Sequence, residues 1–108
     1  MNQEYLNNNR IRVKRLYRSN KHVGFKNGNH LANWYIDKLL KQKGKCKYCQ
    51  TEIVTIKKLI EDGILKPRAA GRGFRGPNLE IDKDNSDLIY NPDNCHLVCY
   101  YCNNDKSN

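Results

Sequence analysis

Long apolar runs are missing from this 108-residue chain. No segment approaches the roughly 20 consecutive apolar residues that a membrane-spanning helix needs, so no membrane association of that kind is expected. The first ten residues, MNQEYLNNNR, hold no apolar stretch of the sort a secretory leader carries. Bulky hydrophobics are scarce as well. Hydrophobic residues make up 38% of the chain, with one Trp, one Met and two Phe, and the mean hydropathy is −0.91. A chain this short and polar buries too little apolar surface to be comfortably stable alone. That argues against a fold held by a large core and predicts a staple, a partner or both.

Acidic residues are few, and their distribution is uneven. The net charge is +9. Residues 1–75 carry 18 Lys/Arg against 5 Asp/Glu, a balance of +13, and residues 76–108 carry 2 against 6, a balance of −4. A basic body of this kind can neutralise nucleic-acid phosphates, and an acidic C-terminal third can hold a cation. The plainer reading is a basic surface that keeps a small protein soluble. Clustered charge at this density favours nucleic acid.

The densest basic segment, NNNRIRVKRLYRSNK, spans residues 7–21 and contains Arg10, Arg12, Lys14, Arg15, Arg18 and Lys21. Its apolar positions favour helix slightly over an irregular arm. Residues 22–30 hold two glycines and predict a loop. A helix is expected over 31–43, with Asn29 as N-cap, Leu31, Trp34, Tyr35 and Leu39 as its apolar stripe, and Gly44 as its stop. A second short helix, capped by Thr51, should run to about Asp62 before Gly63. Residues 66–78, KPRAAGRGFRGPN, predict a long basic loop. Leu79–Asp82 and Cys95–Cys99 predict short strands, and a final short helix is expected from Cys102. Strand, loop, strand, helix is a ββα order. The expected class is α+β in a single domain: a basic helical arm over 1–45 and a stapled ββα core over 46–108.

Cysteine supplies the staple. Four of the five cysteines form two C-x-x-C pairs, Cys46/Cys49 and Cys99/Cys102, with 49 residues between them. In a reducing compartment such pairs read as metal ligands rather than disulfides. Two such turns complete a tetrahedron of thiolates around zinc, and a four-thiolate site leaves no position open for chemistry. The competing reading is two redox or unpaired C-x-x-C motifs. Cys95 is left over and fits a small buried strand residue.

The segment LEIDKDNSDLIYNPDNCHLVCYYCNNDKSN, residues 79–108, resembles the C-terminal core of HNH endonucleases of the ββα-metal class. The shared order is an Asp ending strand one, a D-N-S turn, a Tyr-x-Pro-x-Asn approach to strand two, and C-x-x-C-Asn opening the helix. A weaker likeness reaches back through His22, Phe25, Trp34, Tyr35, Cys46 and Cys49 to the PacI-like restriction enzymes within that family. Those enzymes carry further N-terminal cysteine pairs, which are missing here, so one structural zinc is expected.

The resemblance implies a small zinc-stapled ββα-metal (HNH) fold with N-terminal helices. It implies cleavage of double-stranded DNA with magnesium or manganese, by nicking or, as a homodimer, by cutting both strands, in the cytoplasm of a bacterium or a phage-infected host. Asp82 and Asn103 would hold the catalytic cation, and Asn94 would brace the loop between the strands. The family's usual general-base His is replaced by Lys83, which is a poor base while protonated and a good phosphate contact. By the same likeness His22 and Tyr35 would supply the missing chemistry, with His30 as a second candidate. His96 reads as structural, and Tyr100 and Tyr101 as packing against the zinc or the first helix. Arg10, Arg12, Lys14, Arg15 and Arg18 would grip DNA, joined by Arg68, Arg72 and Arg75 of the glycine-rich loop, for which a solvated loop is nearly as good a reading. Two other classes stay open: a zinc-stapled nucleic-acid-binding module without catalysis, and an interaction protein whose zinc only holds the fold.

Overall fold

A computed structural model describes residues 1–19, 21–66, 68–70, 73–75 and 77–107, with side chains over 1–19, 21–66 and 77–104. The chain is mixed α and β. The basic N-terminal segment forms α1 (Gln3–Leu16) and a 3-10 turn (Tyr17–Ser19). Asn2 caps α1 by accepting from the Tyr5 N–H at 2.8 Å. Val13 and Asn9 face inward from α1, while Lys14, Arg15 and Arg18 stay exposed.

Helix α2 (Gly28–Lys41) begins earlier than the sequence predicts. Its N-cap is Asn27, not Asn29, and Asn27 accepts from the His30 N–H at 2.9 Å. The helix can start there because Gly28 presents no Cβ. A Cβ at that position would meet the Lys14 carbonyl oxygen at 3.0 Å, so the glycine permits α1 to lie close against α2. The stripe Leu31, Tyr35 and Leu39 is buried as expected, joined by Ala32 and Ile36. Trp34 is only partly buried and donates from its indole N–H to the Pro92 carbonyl at 3.3 Å. The chain leaves α2 through two left-handed residues, Lys43 and Gly44.

Helix α3 (Ile53–Glu61) is not capped by Thr51. Glu52 occupies the N-cap without a side-chain bond, because Thr51 belongs to the preceding turn, where its carbonyl accepts from the Cys46 N–H at 3.0 Å. Gly63, left-handed at φ +76°, follows the end of α3 as expected. The segment expected as a loop contains a short antiparallel hairpin, β1 (Arg68–Ala70) with β2 (Gly73–Arg75), paired Arg68 to Arg75. Arg72 and the Arg75 side chain lie outside the described residues.

Strands β3 (Glu80–Lys83) and β4 (Cys95–Val98) pair antiparallel with Asp82 opposite His96. Helix α4 (Tyr100–Ser107) follows at once, two residues before the start expected at Cys102. The ββα order is present. One edge of β4 is closed by a side chain: Gln42 donates to the Leu97 carbonyl at 3.0 Å and accepts from the Leu97 N–H at 3.0 Å. It thereby shares the place of a neighbouring strand with the Lys47 backbone N–H, which donates to the same carbonyl at 3.0 Å. One core joins these parts, drawing Val13, Phe25, Leu31, Tyr35, Leu39, Ile53, Leu79, Leu97 and Val98 together with Cys46 and Cys99. Among the described residues no helix is long and apolar enough to cross a membrane.

Candidate functional site

The four cysteines converge. The sulfurs of Cys46, Cys49, Cys99 and Cys102 all lie within 4.8 Å of one another, and Cys49 Sγ is 3.9 Å from Cys99 Sγ. Tetrahedral zinc with Zn–S bonds of about 2.3 Å requires sulfurs roughly 3.8 Å apart, so the cluster can hold a structural ion such as zinc. The first pair sits in a tight turn closed by the bridge between Lys45 and Glu52. The second straddles the junction of β4 and α4, where the Cys102 N–H points at Cys99 Sγ at 3.4 Å. Burial pushes the Cys49 thiol up, but hydrogen bonds involving Thr51, Cys46 and Cys102 outweigh it and bring it down to about 7. Burial holds Cys99 up at about 11. Cys95 is buried and pushed up to about 11 by desolvation, as fits a packing residue. Among the described residues no other group of three His, Cys, Asp or Glu side chains comes this close together.

A second arrangement lies between the N-terminal helices and the ββα unit. A cavity of about 350 Å³ is lined by Arg12, His22, Tyr35, Glu80, Tyr90 and Asn103, among others. Tyr35 is 0% exposed. Its hydroxyl donates to the Leu79 carbonyl at 2.7 Å and accepts from Arg12 Nη2 at 3.0 Å. Desolvation raises its pKa to about 12, against the pull of Arg12, so the hydroxyl keeps its proton. Arg12 also donates to Asn9 Oδ1 at 2.8 Å. Arg12 is therefore turned toward the cavity wall, unlike Lys14, Arg15 and Arg18. Arg10 reaches across to Asn33 on α2.

His22 is 6% exposed, and its Nδ1 is buried without a hydrogen-bond partner. Burial pulls its pKa below the ordinary histidine value, opposed by a backbone hydrogen bond at Leu16 and aided by Lys21. The ring is held by Tyr90 at 4.9 Å between centroids. An unpaired imidazole nitrogen can accept a proton or ligate a cation once water or an ion reaches it. Asn103, in the first turn of α4, donates from Nδ2 to Glu80 Oε1 at 2.9 Å, so its carbonyl oxygen is the ligand-type atom. Glu80 was missed in the sequence. Alternation along β3 puts it on the same face as Asp82, which is the signal that could have found it.

Asp82 makes its described contacts with a different set of side chains. His96 Nε2 lies 3.4 Å from Asp82 Oδ2, and the Tyr48 hydroxyl lies 3.5 Å from the same oxygen. His96 is 2% exposed, and its Nδ1 faces Asp84. Burial lowers the His96 pKa, while Asp84 and Asp82 pull it up. Lys83 projects from the opposite face of β3. Its ammonium donates to the Ser86 carbonyl at 3.2 Å and lies 5.0 Å from the Tyr90 ring centroid.

Asn94 braces the loop between the strands. Its Oδ1 accepts from the Asn85 N–H at 2.9 Å, and its Nδ2 donates to the carbonyls of Asn85 and Ile89, each at 3.1 Å. His30 stabilises a turn instead of lining the cavity, accepting from the Lys26 N–H at 2.9 Å. Tyr101 stacks edge-on against Tyr100, and its hydroxyl donates to the Lys66 carbonyl at 3.0 Å beyond the end of α3.

No family model, characterised protein or solved structure matches the chain.

Proposed function

We propose that the chain is a metal-dependent endonuclease of the HNH type, hydrolysing phosphodiester bonds in double-stranded DNA. One observation carries this reading. His22, Tyr35 and Asn103 were singled out by resemblance across 81 residues of sequence, and all three line one cavity. Helix packing or strand pairing alone gives no reason for three such residues to share a wall. The exposed Lys14 and Arg15 of α1 and Arg18 of the 3-10 turn add a phosphate-binding face nearby in sequence to His22.

In this reading Asp82 and Asn103, with Glu80 beside Asn103, supply hard oxygen donors suited to magnesium or manganese. Such a cation, when bound, stabilises charge on the phosphate and on the departing 3′-oxygen. The chain's own residues do the rest. His22, held neutral by burial, orients the attacking water from the cavity wall. Arg12, its guanidinium fixed by Asn9 and the Tyr35 hydroxyl, contacts a phosphate oxygen. Tyr35, fully buried and firmly protonated, positions Arg12. Lys83, beside Tyr90 of the cavity wall, contributes positive charge along the DNA path. One site per chain cuts one strand, so a palindromic double-strand cut requires a homodimer.

A second reading is a zinc-stapled nucleic-acid-binding module without catalysis. It is favoured by the engagement of Asp82 with His96 and Tyr48 and by Lys83 in the place of the family's base. Incubation of the zinc-loaded protein with supercoiled plasmid and magnesium or manganese, beside Asp82→Ala, separates the two. Metal-dependent nicking or linearisation that vanishes in Asp82→Ala is the expected result. Plasmid that is shifted on a gel but stays intact with every metal supports the binding module instead.

A further inference from the structure

The first C-x-x-C turn encloses two residues, Lys47 and Tyr48. In a turn whose only task is to present two sulfurs, these side chains would be free to point into solvent. Here both are directed at the β3–β4 pair. The Tyr48 hydroxyl lies 3.2 Å from His96 Nε2 and 3.5 Å from Asp82 Oδ2. The Tyr48 and His96 rings meet edge to face, 5.3 Å between centroids. Lys47 Nζ lies 3.1 Å from Asp84 Oδ1 and 3.3 Å from His96 Nδ1. The Lys47 backbone N–H donates to the Leu97 carbonyl at 3.0 Å, which locks the turn against β4 next to His96.

The imidazole of His96 therefore sits between two carboxylates. Nδ1 faces Asp84, and Nε2 faces Asp82 across the strand pair. The ring itself is 2% exposed, but the Asp82 side chain, at 14%, reaches the surface. His96 and Tyr48 address the same oxygen of Asp82. Contacts at that oxygen restrict the rotation of the carboxylate and so bias the direction in which it meets a cation. That is what a weakly held, exchangeable divalent cation needs from a ligand that would otherwise wave in water. A purely structural histidine–carboxylate pair would not need a tyrosine brought in from the cysteine turn 48 positions away in sequence.

We propose that His96 and Tyr48 are positioning residues for Asp82, orienting its carboxylate toward a divalent cation, and that the cysteine turn delivers Tyr48 to that task. The structural metal then acts on the reaction through a tyrosine it fixes in place. This inference rests on the reading of Asp82 as a cation ligand. The long contacts to Asp82, at 3.4 and 3.5 Å, tighten when the carboxylate is drawn to a cation, as hydrogen bonds around reacting groups commonly do.

The test is manganese binding to the zinc-loaded protein, followed by electron paramagnetic resonance of free Mn²⁺, for the wild type, Asp82→Ala, His96→Gln and Tyr48→Phe. Zinc content and thermal unfolding are recorded for each, and Tyr48→Phe, which changes a half-exposed ring by one oxygen, guards against loss of fold in His96→Gln. Asp82→Ala should abolish the site. His96→Gln and Tyr48→Phe should weaken Mn²⁺ binding roughly 10- to 100-fold, the usual range for groups that orient a ligand, with one zinc retained. In plasmid cleavage the same two variants should need more Mn²⁺ but keep their KM for DNA. Wild-type Mn²⁺ affinity in both variants, with binding lost in Asp82→Ala, overturns the positioning roles and leaves the endonuclease reading intact. Mn²⁺ binding that Asp82→Ala does not disturb removes the cation from Asp82 and overturns both.

Discussion

Removing the metal from the four cysteines should unfold this protein. The sulfurs tie residue 46 to residue 102 across 49 intervening residues between the two pairs. In the chain-entropy picture, closing a loop of about 50 residues removes roughly 4 kcal/mol of freedom from the unfolded ensemble. Structural zinc sites in small domains contribute about 10–16 kcal/mol in total, whereas a domain of this size is stable by only about 5–15 kcal/mol. What would remain after chelation is small: a core whose largest buried members are Tyr35, Phe25 and a few aliphatics, and the bonds of Lys47 and Gln42 to Leu97. The assay is urea unfolding followed by circular dichroism, with zinc released to a chromogenic chelator and counted. One zinc per chain and loss of the cooperative transition on chelation are expected, and Cys102→Ser should behave like the chelated protein. A zinc-free chain that unfolds at the same urea midpoint would refute the argument, because the core would then be sufficient by itself.

Gly24 is where the loop carrying His22 docks on the β3–β4 connection. A Cβ there would lie 2.3 Å from the Tyr90 carbonyl oxygen and 2.6 Å from Asn91 Cβ, so Gly24→Ala should cost about 1–3 kcal/mol and lower Tm by at least ~4 °C; an unchanged melting curve would show that the loop docks differently. His22 gives a pH signature. Burial sets its folded pKa below the unfolded value of about 6.5, so as pH falls below about 6.5 the unfolded chain takes up a proton that the folded one refuses, and stability drops until the folded value is passed. The slope this adds is at most about 1.4 kcal/mol per pH unit, and denaturant titrations of zinc-loaded His22→Gln should be shallower than wild type over that window; parallel curves would mean that His22 is not desolvated.

The parts of the fold that could be read in advance were those encoded by local chemistry. The stripe Leu31, Tyr35 and Leu39, the stop at Gly63, the ββα order and the cysteine tetrad all follow from periodicity or spacing within a few residues, or from a motif with little geometric choice. The start of α2 was misplaced because the deciding factor is tertiary: Gly28 is a helix residue only because Lys14 of α1 lies against it. Thr51 looked like a cap by type, but the turn around the first cysteine pair claims its carbonyl. The hairpin in residues 68–75 was hidden by the glycine and arginine content of the segment. Glu80 belongs to no motif of the resemblance, although strand alternation puts it on one face with Asp82. His96 was legible only as a buried strand residue, since nothing local shows that Asp82, Asp84 and Tyr48 surround it.

These failures share a cause that bears on how so small a chain can hold a site at all. With little apolar surface, the protein buries only a few of its candidate side chains outright, Tyr35 and His96 among them. The others are attached to something already rigid. Asn103 is the residue after Cys102, so a metal closing the tetrad would also set the first turn of α4, from which Asn103 reaches Glu80. Tyr48 and Lys47 sit inside the other cysteine pair and close on His96, Asp82 and Asp84. Tyr35 belongs to the one well-buried helical stripe and anchors Arg12. Asn103, Tyr48 and Arg12 are thus each one covalent step or one hydrogen bond from a cysteine of the tetrad or from the core. Loosening the tetrad should therefore disturb Asp82 and Asn103 together, from opposite ends of the chain's second half, before it disturbs the packing of α1 on α2.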